Sequence, residues 1–331
     1  MSYRLDEIKV LVTRNIPVSG PDMLRREGFS VTAWPHERPM TDEELTAEAK
    51  KHDVVFSVSA DNIGTSLITA CSHLKMISQF SVGYDNIDVA LATKLGIPIG
   101  YAPGAMNEAT ADIAFGLMIA VARKFFYMHK GILRGGWTYF KPNANLGIEL
   151  NNKTLGIFGL GRIGMAMARR CKGAYNMNII YCNRNKNEEA EKLYGAQQVS
   201  FDDMLEQSDV ISVHSVLSNE TKGIFNKDAF SRMRSSSIFI NTARGGIHNE
   251  ADLVDALNQK IILGAGLDVT NPEPMKPDNP LLEMENVCIL PHIGSATIEA
   301  RNEMSRMAAE NIINYFKNGK IPNCVNPEVL K

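Results

Sequence analysis

The chain has 331 residues, more than one ordinary domain holds, so two domains of roughly 100 to 200 residues each are expected. With 44% hydrophobic and 22% charged residues it reads as a folded globular chain rather than a disordered one. A formal net charge of -2, without a basic stripe or a juxtamembrane basic cluster, argues against a nucleic-acid or membrane partner.

The first residues, "MSYRLDEIKV", carry charge where a secretion signal needs its apolar stretch. Five cysteines, Cys71, Cys171, Cys182, Cys288 and Cys324, show neither a C-x-x-C pair nor a metal-ligand spacing, so a reducing, cytoplasmic setting and no metal are expected.

Candidate strands then follow in order: "IKVLVT", "FSVTAW", "VVFSVS", "KMISQF" and "IPIGYA", each followed by polar or helical sequence. That alternation predicts one small, doubly wound parallel-sheet unit. Next comes "NEATADIAFGLMIAVARKFF", a helix pattern apolar on nearly all sides. Such a helix is expected to be buried by another domain or subunit, or within the core of its own subunit. Its apolar part is far shorter than the ~20 residues that span a bilayer.

A second series, "KTLGIFG", "MNIIYCN", "DVISVHS", "SSIFINT", "ILGAGLDV" and "VCILPH", predicts a larger second α/β unit. The chain closes in an amphipathic stretch with Ile298, Met304, Met307, Ala308, Ile312 and Phe316 near helical spacing, which one arrangement returns to the first domain.

Within the second series, "TLGIFGLGRIGMAMARR" sets Gly159, Gly161 and Gly164 in G-x-G-x-x-G order between a strand and a helix. The three glycines suit a tight turn, close approach to a pyrophosphate and close helix-sheet packing; the helix start, with Arg162 and Ile163, offers N–H groups to an anion. The next strand ends in Asn183 where an acid would usually accept from a ribose hydroxyl. Arg184 and Lys186 follow, a donor fork and a point charge suited to a 2′-phosphate. NADPH is therefore expected over NADH, unless both are plain surface charges.

Three later segments, "NTARGG", "LDVTNPEP" and "LPHIGSAT", each place an ionisable residue just past a strand: Arg244, Glu273 and His292. Singly, each has a structural reading as ion-pair partner, loop acid or core imidazole. Together they lie where open α/β sheets bind ligands. Hydride transfer to a carbonyl puts negative charge on its oxygen, so it needs a proton donor, a role for which imidazolium is suited and a neighbouring carboxylate supportive.

On these motifs and on "FSVGYDNID", the chain resembles the D-isomer-specific 2-hydroxyacid dehydrogenase family over essentially its full length, with most likeness to the glyoxylate/hydroxypyruvate reductase branch. The resemblance implies a Rossmann cofactor domain (104–295) inserted into a flavodoxin-like substrate domain (1–103 and 296–331), with crossings near Pro103 and Ser295, and a homodimer built on cofactor domains. It implies Arg244, Glu273 and His292 as the catalytic set acting on a short 2-oxo acid, with Arg244 also binding substrate. Val82 and Gly83 would anchor the substrate carboxylate through their N–H groups, and Ser59 and Ser295 would face substrate, Ser295 having helix capping as its alternative. Asp268 would hold the nicotinamide amide, and Thr110 and Thr242 would face cofactor, each with capping as its alternative.

Two departures stand out. Phe140 replaces the tryptophan that shapes the pocket in mammalian-type members, and Val216 replaces a proline beside the adenine. The resemblance leaves two further readings: an NAD-linked dehydrogenase of D-lactate, D-2-hydroxyisocaproate or phosphoglycerate type, and a nucleotide-sensing corepressor-like binding protein.

Overall fold

The computed structural model describes residues 3–330, which fall into two compact units, Met1–Met106 with Ala296–Lys331, and Asn107–Ser295. In the first unit, β1 (Lys9–Val12), β2 (Ser30–Ala33), β3 (Val54–Ser57), β4 (Met76–Gln79) and β5 (Ile99–Gly100) form one sheet in the order β2-β1-β3-β4-β5. Every pairing is parallel. β3 and β4 are buried at all four positions, as expected of parallel strands covered on both faces. One core of this unit gathers Leu11, Val55, Ile68, Ile77, Ile97 and Ile99.

The amphipathic C-terminal stretch forms the helix Ile298–Asn318, which packs against the helix Ser19–Arg26 and against β4 within this unit. The two helices approach closely at Gly20, where a Cβ would sit 2.3 Å from the carbonyl oxygen of Ser305. Gly20 N–H instead donates to Ser305 Oγ at 3.0 Å, and Ser78 Oγ of β4 donates to Ala308 O at 2.8 Å.

The second unit carries β6 (Thr154–Phe158), β7 (Asn178–Cys182), β8 (Gln197–Gln198), β9 (Val210–Val213), β10 (Ile238–Asn241), β11 (Gly264–Leu267) and β12 (Val287–Ile289). They are ordered β12-β11-β10-β9-β6-β7-β8, all parallel, so the order reverses beside β6. Alternate residues feed two cores: Leu155, Ile157, Ile179, Tyr181, Ile238 and Ile240 pack in one, and Phe158, Ile180, Ile211, Val213 and Phe239 in the other. The strand period of two therefore fills both faces of the sheet.

The apolar helix is shorter than its sequence pattern. It runs Asn107–Ala122, Lys124 turns left-handed at φ 56, and a second helix, Phe125–Leu133, begins. Its apolar girth is buried by its own unit, against the helix Arg162–Tyr175 and against β10, β11 and β12. Among the described residues no helix is long and apolar enough to cross a membrane.

Candidate active site

At the reversal point beside β6, the chain leaves Phe158 through Gly159, whose φ of +94 lies in the left-handed region that favours glycine. A Cβ there would meet Ser215 N at 2.6 Å, so the turn is closed to any side chain. Gly161 caps the helix Arg162–Tyr175 with open space around its own missing Cβ, and Arg162 and Ile163 open the first turn. The first N–H groups of such a helix lack intrahelical acceptors, so this end presents donors and a partial positive charge to an anion.

Asn183, just past β7, turns its side-chain amide to the glycine loop. Its Oδ1 accepts from Leu160 N at 2.7 Å and its Nδ2 donates to Leu160 O at 3.3 Å, so it holds the glycine loop from beneath. Asn187, which sequence reasoning passed over, adds a donor to Leu160 O at 2.9 Å. Lys186 pairs with Glu191 at 2.9 Å, and the same carboxylate accepts from Tyr181 Oη at 3.0 Å. Arg184 is exposed and sits in the field of Glu220, whose carboxyl is held below its ordinary range mainly by the Ser218 hydroxyl, with Arg184 contributing. Of the basic pair, Arg184 is the cation not bound to a carboxylate among the described residues.

A buried hydroxyl supports a ligand at the same sheet end. Thr242, just past β10, is 7% exposed, and its Oγ1 has no hydrogen-bond partner among the described residues. An unsatisfied buried hydroxyl costs about 1–3 kcal/mol unless something else meets it. With the glycine turn and the open helix end, it fits a dinucleotide. Thr110, by contrast, donates to Gly294 O at 3.2 Å, a tertiary bond and not the capping bond that was its alternative.

Arg244 follows two residues later. Its Nη1 donates to Ala243 O at 2.8 Å, and its carbonyl accepts from Asn241 Nδ2 at 2.9 Å. Asn241 is fully buried, and its Nδ2 also donates to His248 Nδ1 at 3.0 Å, so the neutral imidazole carries its proton on Nε2. Burial drives His248 down to about 4, which keeps that acceptor available. The only sequence signal for this support was an Asn at a strand end with a His seven residues on.

Past β11, Asp268 is buried and its carboxyl is raised by that burial against two backbone hydrogen bonds that pull it down. Its Oδ1 accepts from Ile293 N at 2.8 Å, its Oδ2 from Gly294 N at 2.7 Å, and its carbonyl from His292 N at 2.9 Å. Asp268 thus grips three successive N–H groups and sets the turn that carries His292, itself left-handed at φ 52.

His292 Nδ1 meets Glu273 Oε1 in a short hydrogen bond, with side chains 38% and 41% exposed. Burial pushes the Glu273 carboxyl up, but the His292 hydrogen bond and charge, aided by Thr270 N–H and Arg244, hold it below the ordinary carboxylate range. A histidine whose Nδ1 is fixed by a carboxylate presents Nε2 outward as a proton donor. Arg244, Glu273 and His292 all lie on the 107–295 unit, with the Arg244 charge felt at Glu273.

The remaining candidates divide between the units. Ser59, Val82 and Gly83 lie on loops after β3 and β4 of the first unit, all half-buried. Ser295 is half-buried, and the final helix is capped not by it but by Thr297, whose side chain accepts from Ala300 N at 3.0 Å. Phe140 is 84% exposed and Val216 66% exposed.

Residues 115–294 match the family model described as D-isomer specific 2-hydroxyacid dehydrogenase, NAD binding domain. Over 325 residues, covering 98% of this chain and 97% of the relative, the chain is 41% identical to a glyoxylate reductase of Korarchaeum cryptofilum. It superposes on the crystal structure of a glyoxylate reductase from Paecilomyes thermophila at a TM-score of 0.87 and 33% identity, covering 97% of this chain and 99% of that one. An NADPH-dependent glyoxylate/hydroxypyruvate reductase from Sinorhizobium meliloti, solved with NADP and malonate, superposes at 0.83 with 30% identity, covering 96% of each chain.

Proposed function

Since the chain belongs to the D-isomer-specific 2-hydroxyacid dehydrogenase family, we propose that it reduces a short 2-oxo acid, glyoxylate or hydroxypyruvate, to the D-2-hydroxy acid, with NADPH preferred over NADH. The observation that carries this reading is the Glu273-bound His292 on the same unit as Arg244 and beyond the same sheet end as the glycine turn. The names of the relatives support the substrate class.

Gly159, Gly161 and the first turn at Arg162, Ile163 and Gly164 would hold the pyrophosphate of the dinucleotide, Thr242 and Asp268 would face its nicotinamide end and Arg184 its 2′-phosphate, and the group so held would supply the hydride for the carbonyl carbon. Arg244 binds the substrate carboxylate and keto oxygen through its planar fork, fixing the carbonyl in a reactive orientation. As charge develops on that oxygen, His292 gives up the Nε2 proton, and Glu273 stabilises the imidazolium beforehand. Val82 and Gly83, on the first unit, offer N–H groups suited to anchor a carboxylate. Ser59 and Ser295 face the substrate as small polar residues. The chain acts as a homodimer built on its 107–295 unit, in a reducing compartment where its five free cysteines persist.

The test is the rate of NADPH and, separately, NADH oxidation with glyoxylate, hydroxypyruvate, pyruvate and a branched 2-oxo acid. Faster NADPH turnover on the two small polar acids is expected; preference for the branched acid overturns the substrate reading. For the cofactor, Asn183→Asp combined with Arg184→Ala is expected to move the kcat/KM ratio at least tenfold toward NADH. An unchanged ratio, or a wild type that prefers NADH, leaves the NAD-linked reading in its place.

A further inference from the structure

In the first unit, the two loops proposed to face substrate are joined by a chain of two side-chain amides, one fully buried and one half-buried. Gln79, the last residue of β4, is fully buried, and each polar atom of its carboxamide is engaged. Its Oε1 accepts from Ser57 Oγ at 2.5 Å, and its Nε2 donates both to Gly83 O at 3.2 Å and to Asn86 Oδ1 at 2.8 Å. Gly83 O takes a second donor, Ser81 Oγ, at 2.7 Å.

Asn86 passes the connection on. Its Nδ2 donates to Asp61 O at 2.8 Å and to Val58 O at 3.3 Å, the carbonyls that flank the Ser59 loop. That loop is fixed from its other side by the buried Asp61 carboxylate, which accepts from Val58 N at 3.0 Å, Thr13 Oγ1 at 2.5 Å and Arg14 Nε at 3.0 Å. The donors are consumed as fully as the acceptors, so neither amide can flip without stranding a buried polar group. The N–H groups of Val82 and Gly83, in contrast, donate to nothing among the described residues.

We propose that Gln79 and Asn86 are positioning residues for the substrate carboxylate, holding the Gly83 carbonyl so that the Val82 and Gly83 N–H groups stay available as donors in register with the Ser59 loop. This rests on the reading above that those N–H groups anchor the carboxylate. A network that served the core alone would be replaceable by apolar residues of like shape at little cost to function. A network that sets a loop's register shows its loss in substrate binding.

The experiment compares glyoxylate with its uncharged amide in wild type and in Gln79→Met, which keeps the side-chain length and removes all three hydrogen bonds. Wild type is expected to favour glyoxylate strongly. Gln79→Met is expected to raise KM for glyoxylate at least tenfold and to narrow the preference, with kcat changed less than KM and the Kd for NADPH unchanged. A wild type that turns over both compounds alike overturns the carboxylate-anchor reading and the proposal with it. A wild type that discriminates, joined to a Gln79→Met variant with unaltered KM and preference, overturns the positioning role while the anchor reading stands. Should Gln79→Met not fold, Ser57→Ala, which deletes one donor to Gln79, is expected to raise KM for glyoxylate threefold or more, and an unchanged KM there overturns the proposal.

Discussion

His292 occupies a left-handed backbone conformation at φ 52, a region where non-glycine residues cost of order 1–3 kcal/mol unless their surroundings fix them. Asp268 supplies that fixing through three backbone N–H groups, and Glu273 fixes the ring. If His292 is the proton donor, His292→Ala should lower kcat roughly 10²- to 10⁴-fold. The Kd for NADPH, read by fluorescence titration, should hold. Retention of most of the kcat removes His292 from that role. The pair also leaves a mark on stability. Because the folded Glu273 carboxyl lies below its ordinary value, it contributes fully above the unfolded glutamate value of about 4.3 and loses that contribution as pH falls through the lower folded value. Glu273→Gln should therefore lower the thermal midpoint more at neutral pH than in that acid window. An equal loss at both pH values would mean that the pair does not act through ionisation.

The turn after β10 shows how an element's end is built for a task and then leaves a trace in stability. Asn241 needs His248 neutral, and burial keeps it so at about 4, while His214, half-buried just past β9, is likewise driven down to about 4 by desolvation. An unfolded histidine titrates near 6.5, and each unit of separation is worth about 1.4 kcal/mol. Between those values the unfolded chain binds protons that the folded chain refuses, so stability is full above the unfolded value and falls as pH drops toward the folded one. The thermal midpoint is expected to fall by several degrees between pH 7 and pH 5, and His248→Leu should flatten that slope. A slope unchanged in His248→Leu would mean that this imidazole is not buried neutral. At this scale the sequence was readable wherever burial is two-sided: strands such as β9 and β10 are apolar at consecutive positions because both faces are covered. It was not readable at β8, whose Gln197 and Gln198 are both exposed at a sheet edge. Nor did it show the break at Lys124, where no glycine or proline marks the left-handed turn. The site followed the same division. Arg244, Glu273 and His292 stand out by residue type at strand ends, whereas the bonds by which Asn183 holds the glycine loop depend on a contact with Leu160, 23 residues away in sequence.

For the whole molecule, the decisive surface is on the 107–295 unit. Within one stretch, Leu133 is 74% exposed, Trp137 75%, Tyr139 67%, Phe140 84% and Leu146 68%. Single exposed apolar residues are ordinary, but so many in one run call for a covering partner. The homodimer proposed for this unit supplies one of matched chemistry, a second copy of the same apolar run, and a stable pairing of this kind should bury more than about 1,000 Å². Aromatic residues of this sort contribute most to association when they are fully desolvated, so removing two of them should be decisive. Trp137→Glu combined with Phe140→Glu is expected to convert a dimer into a monomer in sedimentation velocity, with each unit still folded by circular dichroism. A wild type that sediments as a monomer ends the homodimer reading. A double variant that remains dimeric assigns the interface elsewhere on the unit and leaves Phe140 without a part in it.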